Sequence, residues 1–367
     1  MTTPLQDLAK HGQSAWIDYL SRNFVRNGDL AALIDEGVAG VTSNPTIFQA
    51  AIAEGDAYDE QLREVFAVHN DPKEVFLALA RRDIQDACDL LRPVFDQGDA
   101  SRDGWVSLEV DPQLADDTQG TIDEATRLYE MIGRPNLFVK IPGTTAGLPA
   151  IEETVARGIP VNVTLLFSLR RHREAAEAYL RGLRRLHATG GDLHAVASVA
   201  SYFVSRVDTE ADRRLTEIGG HDDLKGTLAV ANAKLAYQTY LELFRGDDWA
   251  ELEAAGASPQ RCLWASTSVK NPEYRDVRYV EELVGAYTVN TMPRDTLEAF
   301  QDHGRVADTL ERDVDEARDV FDRFAAAGVD YDDVTDTLER EGVAKFAASF
   351  RQLFDGVAAK RREMGQG

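Results

Sequence analysis

Short runs of β-branched and apolar residues recur along the chain, separated by longer stretches whose apolar positions follow a helical period. Eight of the short runs predict strands: Ser14–Asp18, Val38–Thr42, Trp105–Glu109, Leu137–Ile141, Pro160–Thr164, Ala195–Val199, Cys262–Ser266 and Ala286–Asn290. Between them, stretches such as "DPKEVFLALARRDIQDACDLL", "TIDEATRLYEMI" and "RRHREAAEAYLRGLRRLH" repeat apolar residues every three to four positions and predict amphipathic helices. "GLPAIEETVARG", "TLAVANAKLAYQTYLELF" and "RDTLEAF" read the same way. Strand and helix in alternation imply a parallel sheet with right-handed crossovers. Eight such units predict closure into an α/β fold of the (β/α)₈ type. Two regions exceed a minimal barrel: an extended helical insertion over about residues 50–100, after strand two, and a helical extension over about 305–367. No Pro/Gly/Ser-rich linker isolates either, so residues 1–367 are expected to form one domain, the extension packing on the barrel or covering one end.

Period-two alternation sorts the polar residues of these strands. "WVSLEV" puts Trp105, Ser107 and Glu109 on one side and Val106, Leu108 and Val110 on the other. "LFVKI" sets Lys140 in phase with Phe138, and "AWID" sets Asp18 in phase with Trp16. Polar side chains thereby gather on the inner face near the C-terminal ends of several strands: Asp18, Thr42, Asn44, Glu109, Lys140, Asn162, Thr164, Ser201 and Ser266. Barrel enzymes build their active sites at that end from several strands. Any single serine or threonine here also reads as a satisfied core group or a strand-end cap.

Lys140 is the sharpest of these. The chain holds eight lysines against thirty-two arginines, yet one lysine interrupts a run of strand-forming hydrophobes. An ordinary lysine amine is almost entirely protonated at neutral pH, and only the neutral amine is a nucleophile. A desolvated barrel mouth favours the neutral form, the condition for Schiff-base chemistry. The competing reading is a buried ion pair with Glu109 or Asp18 that carries no chemistry.

Composition narrows the classes. Of the 367 residues, 44% are hydrophobic and 28% charged, a globular profile, and no stretch is long and apolar enough to span a bilayer. The formal charge of −23 argues against nucleic-acid or anionic-membrane partners. Two cysteines cannot build a disulfide framework, the N-terminus lacks a secretion signal, and the cytoplasm is the expected compartment. The seven histidines show no HExxH spacing, and neither GxGxxG nor GxxxxGK[ST] occurs, so no metal or cofactor is expected.

Taken together, "SAWIDYLSR" (14–22), "GVTSNPTIF" (40–48), "LEVDPQLADDT" (108–118), "FVKIPGT" (138–144), "GIPVNVTLLFS" (158–168), "ASYFVSR" (200–206) and "LWASTSVKNP" (263–272) resemble the strand-end motifs of the transaldolase family, in its longer bacterial branch. The resemblance runs in family order over nearly the whole barrel. It implies a cofactor-free transferase of the pentose phosphate pathway. Such an enzyme moves a dihydroxyacetone unit from sedoheptulose 7-phosphate to glyceraldehyde 3-phosphate, giving erythrose 4-phosphate and fructose 6-phosphate. By the same resemblance Lys140 is the Schiff-base lysine, Asp18 the acid–base aspartate, Glu109 a glutamate acting through a water, and Thr164 the residue that helps hold that water. Asn44, Asn162 and Ser201 match binders of the dihydroxyacetone hydroxyls, with Thr42 beside Asn44. Phe203 matches an aromatic lining residue and Arg206 a phosphate-binding arginine. Many family members carry a second phosphate-contacting arginine in a Ser-Phe-Arg arrangement after strand seven. Here the stretch is Ser266-Thr267-Ser268, with Lys270 close behind, to be read either as a replacement charge or as a solvated loop lysine.

Three other readings compete. A fructose 6-phosphate aldolase would release free dihydroxyacetone, but that group is shorter and carries glutamine and tyrosine where this chain has Glu109 and Phe203. A catalytically silent sugar-phosphate-binding barrel would not need the lysine and both carboxylates. A deoxyribose-phosphate aldolase would carry its lysine on strand six, where this chain has none. Monomer and homodimer are both left open by the sequence.

Overall fold

The computed structural model describes residues 2–53, 55–97 and 103–365. Eight parallel strands close into a barrel in sequence order, β8 returning to pair with β1. They are β1 Gln13–Ile17, β2 Val38–Val41, β3 Trp105–Glu109, β4 Leu137–Pro142, β5 Val161–Leu166, β6 Ser198–Phe203, β7 Arg261–Ala265 and β8 Thr288–Met292. Seven of the predicted runs fall within one or two residues of these bounds. The sixth does not: Ala195–Val199 is displaced to Ser198–Phe203. The carboxylate of Asp192 accepts from the His194 N–H at 3.0 Å and closes a single 3₁₀ turn, Leu193–Ala195, which occupies the backbone groups a strand would need. The sheet resumes at Ser198, whose hydroxyl donates to the Val161 carbonyl at 2.7 Å.

The helices follow from the same pattern. Leu169–Ala188 starts where the Ser168 hydroxyl accepts from the Arg171 N–H, and it buries Ala175, Ala176, Tyr179, Leu183 and Leu186 along one stripe. In the barrel interior the inward residues stack in layers. Phe138 lies against Trp105, ring centroids 4.1 Å apart and planes 17° from parallel, and against Trp16 at 6.2 Å. Gly40 makes the close approach of Trp16 tolerable, since a Cβ there would sit 2.5 Å from the indole ring. Asp103 ties the layer below together: it accepts from Trp16 Nε1 at 3.1 Å and Ser14 Oγ at 2.6 Å, and pairs with Arg261 at 3.1 Å.

The expected insertion is three helices, Pro45–Ala53, Asp59–Phe66 and Pro72–Gln97; positions 54 and 98–100 of the expected span lie outside the described residues. The expected C-terminal extension holds Val314–Ala326 and the long helix Tyr331–Glu363, with 366–367 again outside them. That long helix crosses the mouth of the barrel. At its start Arg214 reaches Asp333 at 2.6 Å and Arg171 reaches Glu339 at 3.1 Å. At mid-length Gly342 passes Leu165 so closely that a Cβ would lie 3.0 Å from its methyl group. Further along, Phe350 meets Phe76 at 5.5 Å and Phe354 at 4.8 Å, Phe76 meets Phe48 at 5.3 Å, and Lys360 pairs with Asp59 at 3.1 Å. Edge-on aromatic pairs of this kind are each worth about 1 kcal/mol beyond simple burial. The cluster therefore clamps the helix onto the insertion. Among the described residues no helix is long and apolar enough to cross a membrane.

Candidate active site

The strand register brings the candidate chemistry together. Glu109 on β3 is level with Lys140 on β4, and Lys140 is level with Asn162 on β5. In parallel strands, residues paired in this way point to the same face, so all three enter the barrel side by side. One step further along, Pro142 is level with Thr164. Asp18, Thr42 and Asn44 follow β1 and β2 directly. The Asp18 N–H still bonds the Met292 carbonyl, and the Thr42 N–H the Ile17 carbonyl, so the sheet orients their side chains.

Lys140 is 5% exposed, with Nζ 3.2 Å from Glu109 Oε2, 3.3 Å from the Ser43 carbonyl it donates to, and 5.5 Å from the centre of the Phe346 ring. The ion-pair reading of Lys140 is thus met in geometry. Among the described residues Glu109 Oε2 finds no polar partner beyond this contact with the amine. The buried hydroxyl of Thr164 has no hydrogen-bond partner among the described residues. An unpartnered buried hydroxyl one step along the strands from a buried ion pair marks a polar pocket that suits a ligand or a water.

Burial raises the Glu109 carboxyl above its ordinary range; the charge of Lys140 pulls the other way and Asp18 adds to the rise. Asp18 is likewise raised by desolvation, against the pull of Lys140, the Thr42 hydroxyl and Arg206. Thr42 Oγ1 donates to Asp18 Oδ1 at 2.7 Å and lies 2.7 Å from Thr291 Oγ1, which holds the aspartate in place. Asn162 Nδ2 donates to Ser107 Oγ at 3.0 Å, while its Oδ1 accepts from Ser201 at 2.7 Å. Asn44 does serve as a cap: its Oδ1 accepts from the Ile47 N–H at 3.1 Å, leaving the amide Nδ2 for a ligand.

These residues surround one cavity of about 330 Å³ at the C-terminal ends of the strands. Asp18, Thr42, Asn44, Lys140, Thr164, Ser201, Phe203, Arg206, Ser266 and Lys270 all line it. Glu109 and Asn162 lie just beneath, in contact with lining groups. All twelve sequence-predicted residues therefore meet at one place. Arg206 is half-buried, its guanidinium 5.2 Å from the centre of the Phe203 ring, and Phe203 is backed by Phe167 at 5.1 Å. Ser266 holds a left-handed backbone conformation, φ 55°, with its hydroxyl 3.0 Å from that of Ser205. A non-glycine residue kept in that region at a strand end is a cost that functional sites tolerate.

Sequence reasoning missed Thr291, Lys345 and Phe346, which also line the cavity. The last two come from the helix Tyr331–Glu363. A lysine on an amphipathic helix carries no local mark of which barrel end it will face. The one available signal was scarcity, Lys345 being one of eight lysines.

A model of the family described as transaldolase/fructose-6-phosphate aldolase matches residues 15–357. The chain is 52% identical to a transaldolase of Acidothermus cellulolyticus, with 100% of both chains covered. It is 51% identical to a transaldolase of Thermobifida fusca over 98% of each chain, and 50% identical to one of Mycolicibacterium smegmatis over 96% of each. With its barrel, its buried lysine among carboxylates and this full-length likeness, the chain belongs to the transaldolase family, the Schiff-base transferases of the pentose phosphate pathway.

Proposed function

We propose that Lys140 is the covalent nucleophile for transfer of a dihydroxyacetone unit from sedoheptulose 7-phosphate to glyceraldehyde 3-phosphate. The observation that carries the reading is the buried amine held 3.2 Å from Glu109, with the unpartnered hydroxyl of Thr164 lining the same cavity. Lys140 Nζ adds to the C2 carbonyl of the ketose and gives a carbinolamine. Its hydroxyl leaves as water when it takes a proton, which Glu109 relays through a water held with Thr164. The resulting iminium draws the electrons of the C3–C4 bond while Asp18 takes the proton of the C4 hydroxyl. Erythrose 4-phosphate departs, and a three-carbon enamine remains on Lys140.

The enamine then attacks the aldehyde carbon of glyceraldehyde 3-phosphate, and Asp18 returns its proton to the new alkoxide. Hydrolysis of the imine frees fructose 6-phosphate and the lysine. A carboxyl raised by burial suits a group that must both take and return a proton near neutral pH. Ser201, hydrogen-bonded to Asn162, and the free amide of Asn44 orient the three-carbon unit through neutral groups that do not protonate the enamine. Arg206 holds the phosphate with a permanently charged, planar donor. Both cysteines are free and buried, in keeping with a cytoplasmic enzyme.

The test is covalent capture. Borohydride added with fructose 6-phosphate should leave a reduced three-carbon adduct on the peptide carrying Lys140, read by mass. An adduct on Lys234 or Lys270 instead, or none at all, would overturn the assignment. Release of free dihydroxyacetone in place of transfer would favour the aldolase branch of the family.

A further inference from the structure

Arg206, Lys270 and Lys345 reach the rim of the same cavity from three separate elements: the start of helix Ser205–Ile218, the loop after β7, and the C-terminal helix. They feel one another. The amine of Lys345 is pushed below its ordinary range chiefly by Arg206, and that of Lys270 by burial, Arg206 and Lys345. Acidic side chains outnumber basic ones in this chain, 63 to 40, so carboxylate partners for a lysine are plentiful.

The other lysines bear this out. Lys10, Lys73, Lys140, Lys225 and Lys360 each pair with a carboxylate, and Lys234 donates to the Arg312 carbonyl. Among the described residues only Lys270 and Lys345 lack both kinds of partner; Lys270 donates to the Ser268 hydroxyl at 2.5 Å, and Lys345 makes no bond within the protein. Asp18 and Glu341 act on Arg206 from a distance, and Asp208 and Asp212 line a neighbouring pocket with Lys270 without pairing with it. Three converging, unpaired cations repel one another unless an anion sits between them.

We propose that Lys345, on the C-terminal helix, binds the sugar phosphate jointly with Arg206 and Lys270, making that helix a determinant of specificity for phosphorylated substrates. The proposal rests on the Schiff-base reading of this mouth. It deepens that reading by assigning the second phosphate contact, which the stretch Ser266-Thr267-Ser268 does not supply, to a residue from another element. Phe346, the next residue, lies over the amine of Lys140, so the same turn of helix covers the reacting lysine and presents the charge. The helix is fixed there by Thr46, whose hydroxyl donates to Ser349 at 2.8 Å, and by the cluster of Phe76, Phe350 and Phe354. Phosphate binding and closure over Lys140 are in this way built on one rigid element.

Lys345 is exposed on a helix, where alanine is well tolerated, so Lys345→Ala should fold. Ping-pong kinetics allow the acceptor half-reaction to be read alone, with sedoheptulose 7-phosphate as fixed donor and either glyceraldehyde 3-phosphate or unphosphorylated glyceraldehyde as acceptor, erythrose 4-phosphate being released in both cases. The expected result is a fall of about tenfold in the ratio of kcat/KM for the phosphorylated to the unphosphorylated acceptor. A comparable rise in the inhibition constant of inorganic phosphate should accompany it, with partial recovery in Lys345→Arg. A ratio and a phosphate inhibition constant both within about twofold of the parent would overturn the proposal, as would equal loss with both acceptors. Borohydride trapping on the parent enzyme separates the two failures. An adduct on Lys140 with no effect at Lys345 removes this inference alone, whereas no adduct on Lys140 removes the reading beneath it.

Discussion

Asp208 lies two residues after Arg206, buried on helix Ser205–Ile218, where its Oδ1 accepts from the Ala229 N–H at 2.7 Å and its Oδ2 from the Tyr279 hydroxyl at 2.7 Å. Burial outweighs both bonds and lifts the carboxyl from 3.8 to about 6, with Asp212 adding to the rise and Arg278 opposing it. The sign of the linkage follows. An acid whose folded value is raised favours the fold below its unfolded value, and that contribution is lost as pH climbs through the folded one. The gap between 3.8 and about 6, at about 1.4 kcal/mol per pH unit, comes to about 3 kcal/mol. About half of that is lost between pH 5 and pH 8.

Asp208→Asn keeps the shape and cannot ionise. Its Oδ1 still accepts from Ala229, and the Tyr279 hydroxyl turns from donor to acceptor, a cost of about 1 kcal/mol that does not vary with pH. Equilibrium urea unfolding of parent and variant across pH 5 to 8 isolates this carboxyl, because the other buried acids, Asp18, Asp83 and Glu109, titrate alike in both proteins. The variant should gain on the parent by about 1.5 kcal/mol over that range, whichever is more stable at its start. Parallel curves would refute the argument, for they would mean that Asp208 ionises as easily folded as unfolded.

Arg206→Ala should raise KM for phosphorylated substrates by about tenfold or more, with a smaller effect on turnover, in steady-state assays; a loss in kcat alone contradicts its role. Thr164→Val deletes a buried hydroxyl that has no partner, so thermal unfolding should change by less than about 1 kcal/mol while turnover falls. Unchanged turnover would remove Thr164 from the proton relay. Gly40→Ala drives a Cβ to 2.5 Å from the Trp16 ring and should cost about 1–3 kcal/mol, visible as a Tm lower by several degrees. An unaltered Tm would show that the aromatic layer yields freely.

Parallel strands made most of this site readable from sequence. Period-two alternation assigns a side to each residue, and in a barrel the inner side is common to all strands. Knowing that Lys140 shares a phase with Phe138, and Glu109 with Trp105, was therefore enough to bring them together, as the stacking of Phe138 on Trp105 and the level register of Glu109 with Lys140 bear out. The sixth strand was misplaced because nothing in "LHAVASV" separates a capped turn from a strand start until the Asp192 carboxylate finds the His194 N–H. Helices carry less information of this kind. The 3.6 period tells which face of Tyr331–Glu363 is buried, and says nothing of where on the barrel it lands. Its position over the mouth is decided by contacts hundreds of residues away in sequence, Phe76 with Phe350 and Asp59 with Lys360. Lys345 and Phe346 were invisible for that reason.

The lysine count gains meaning from the same geometry. Arginine, at thirty-two residues to eight, supplies most of this protein's surface cations and most of its ion pairs. In the role proposed for Lys140 arginine cannot substitute, because a guanidinium never gives up its proton under working conditions and forms no imine. At the rim the reason differs. A rigid guanidinium fork must be aimed, and Arg206 is aimed by the Phe203 ring beneath it. Lys270 and Lys345 come from a loop and from a helix face with no such platform, where a compact charge on a flexible stem can follow a phosphate as the sugar chain changes from three carbons to seven. Three of eight lysines border one cavity, and in the roles proposed for them the chemistry of an amine, or its reach, does what an arginine would not.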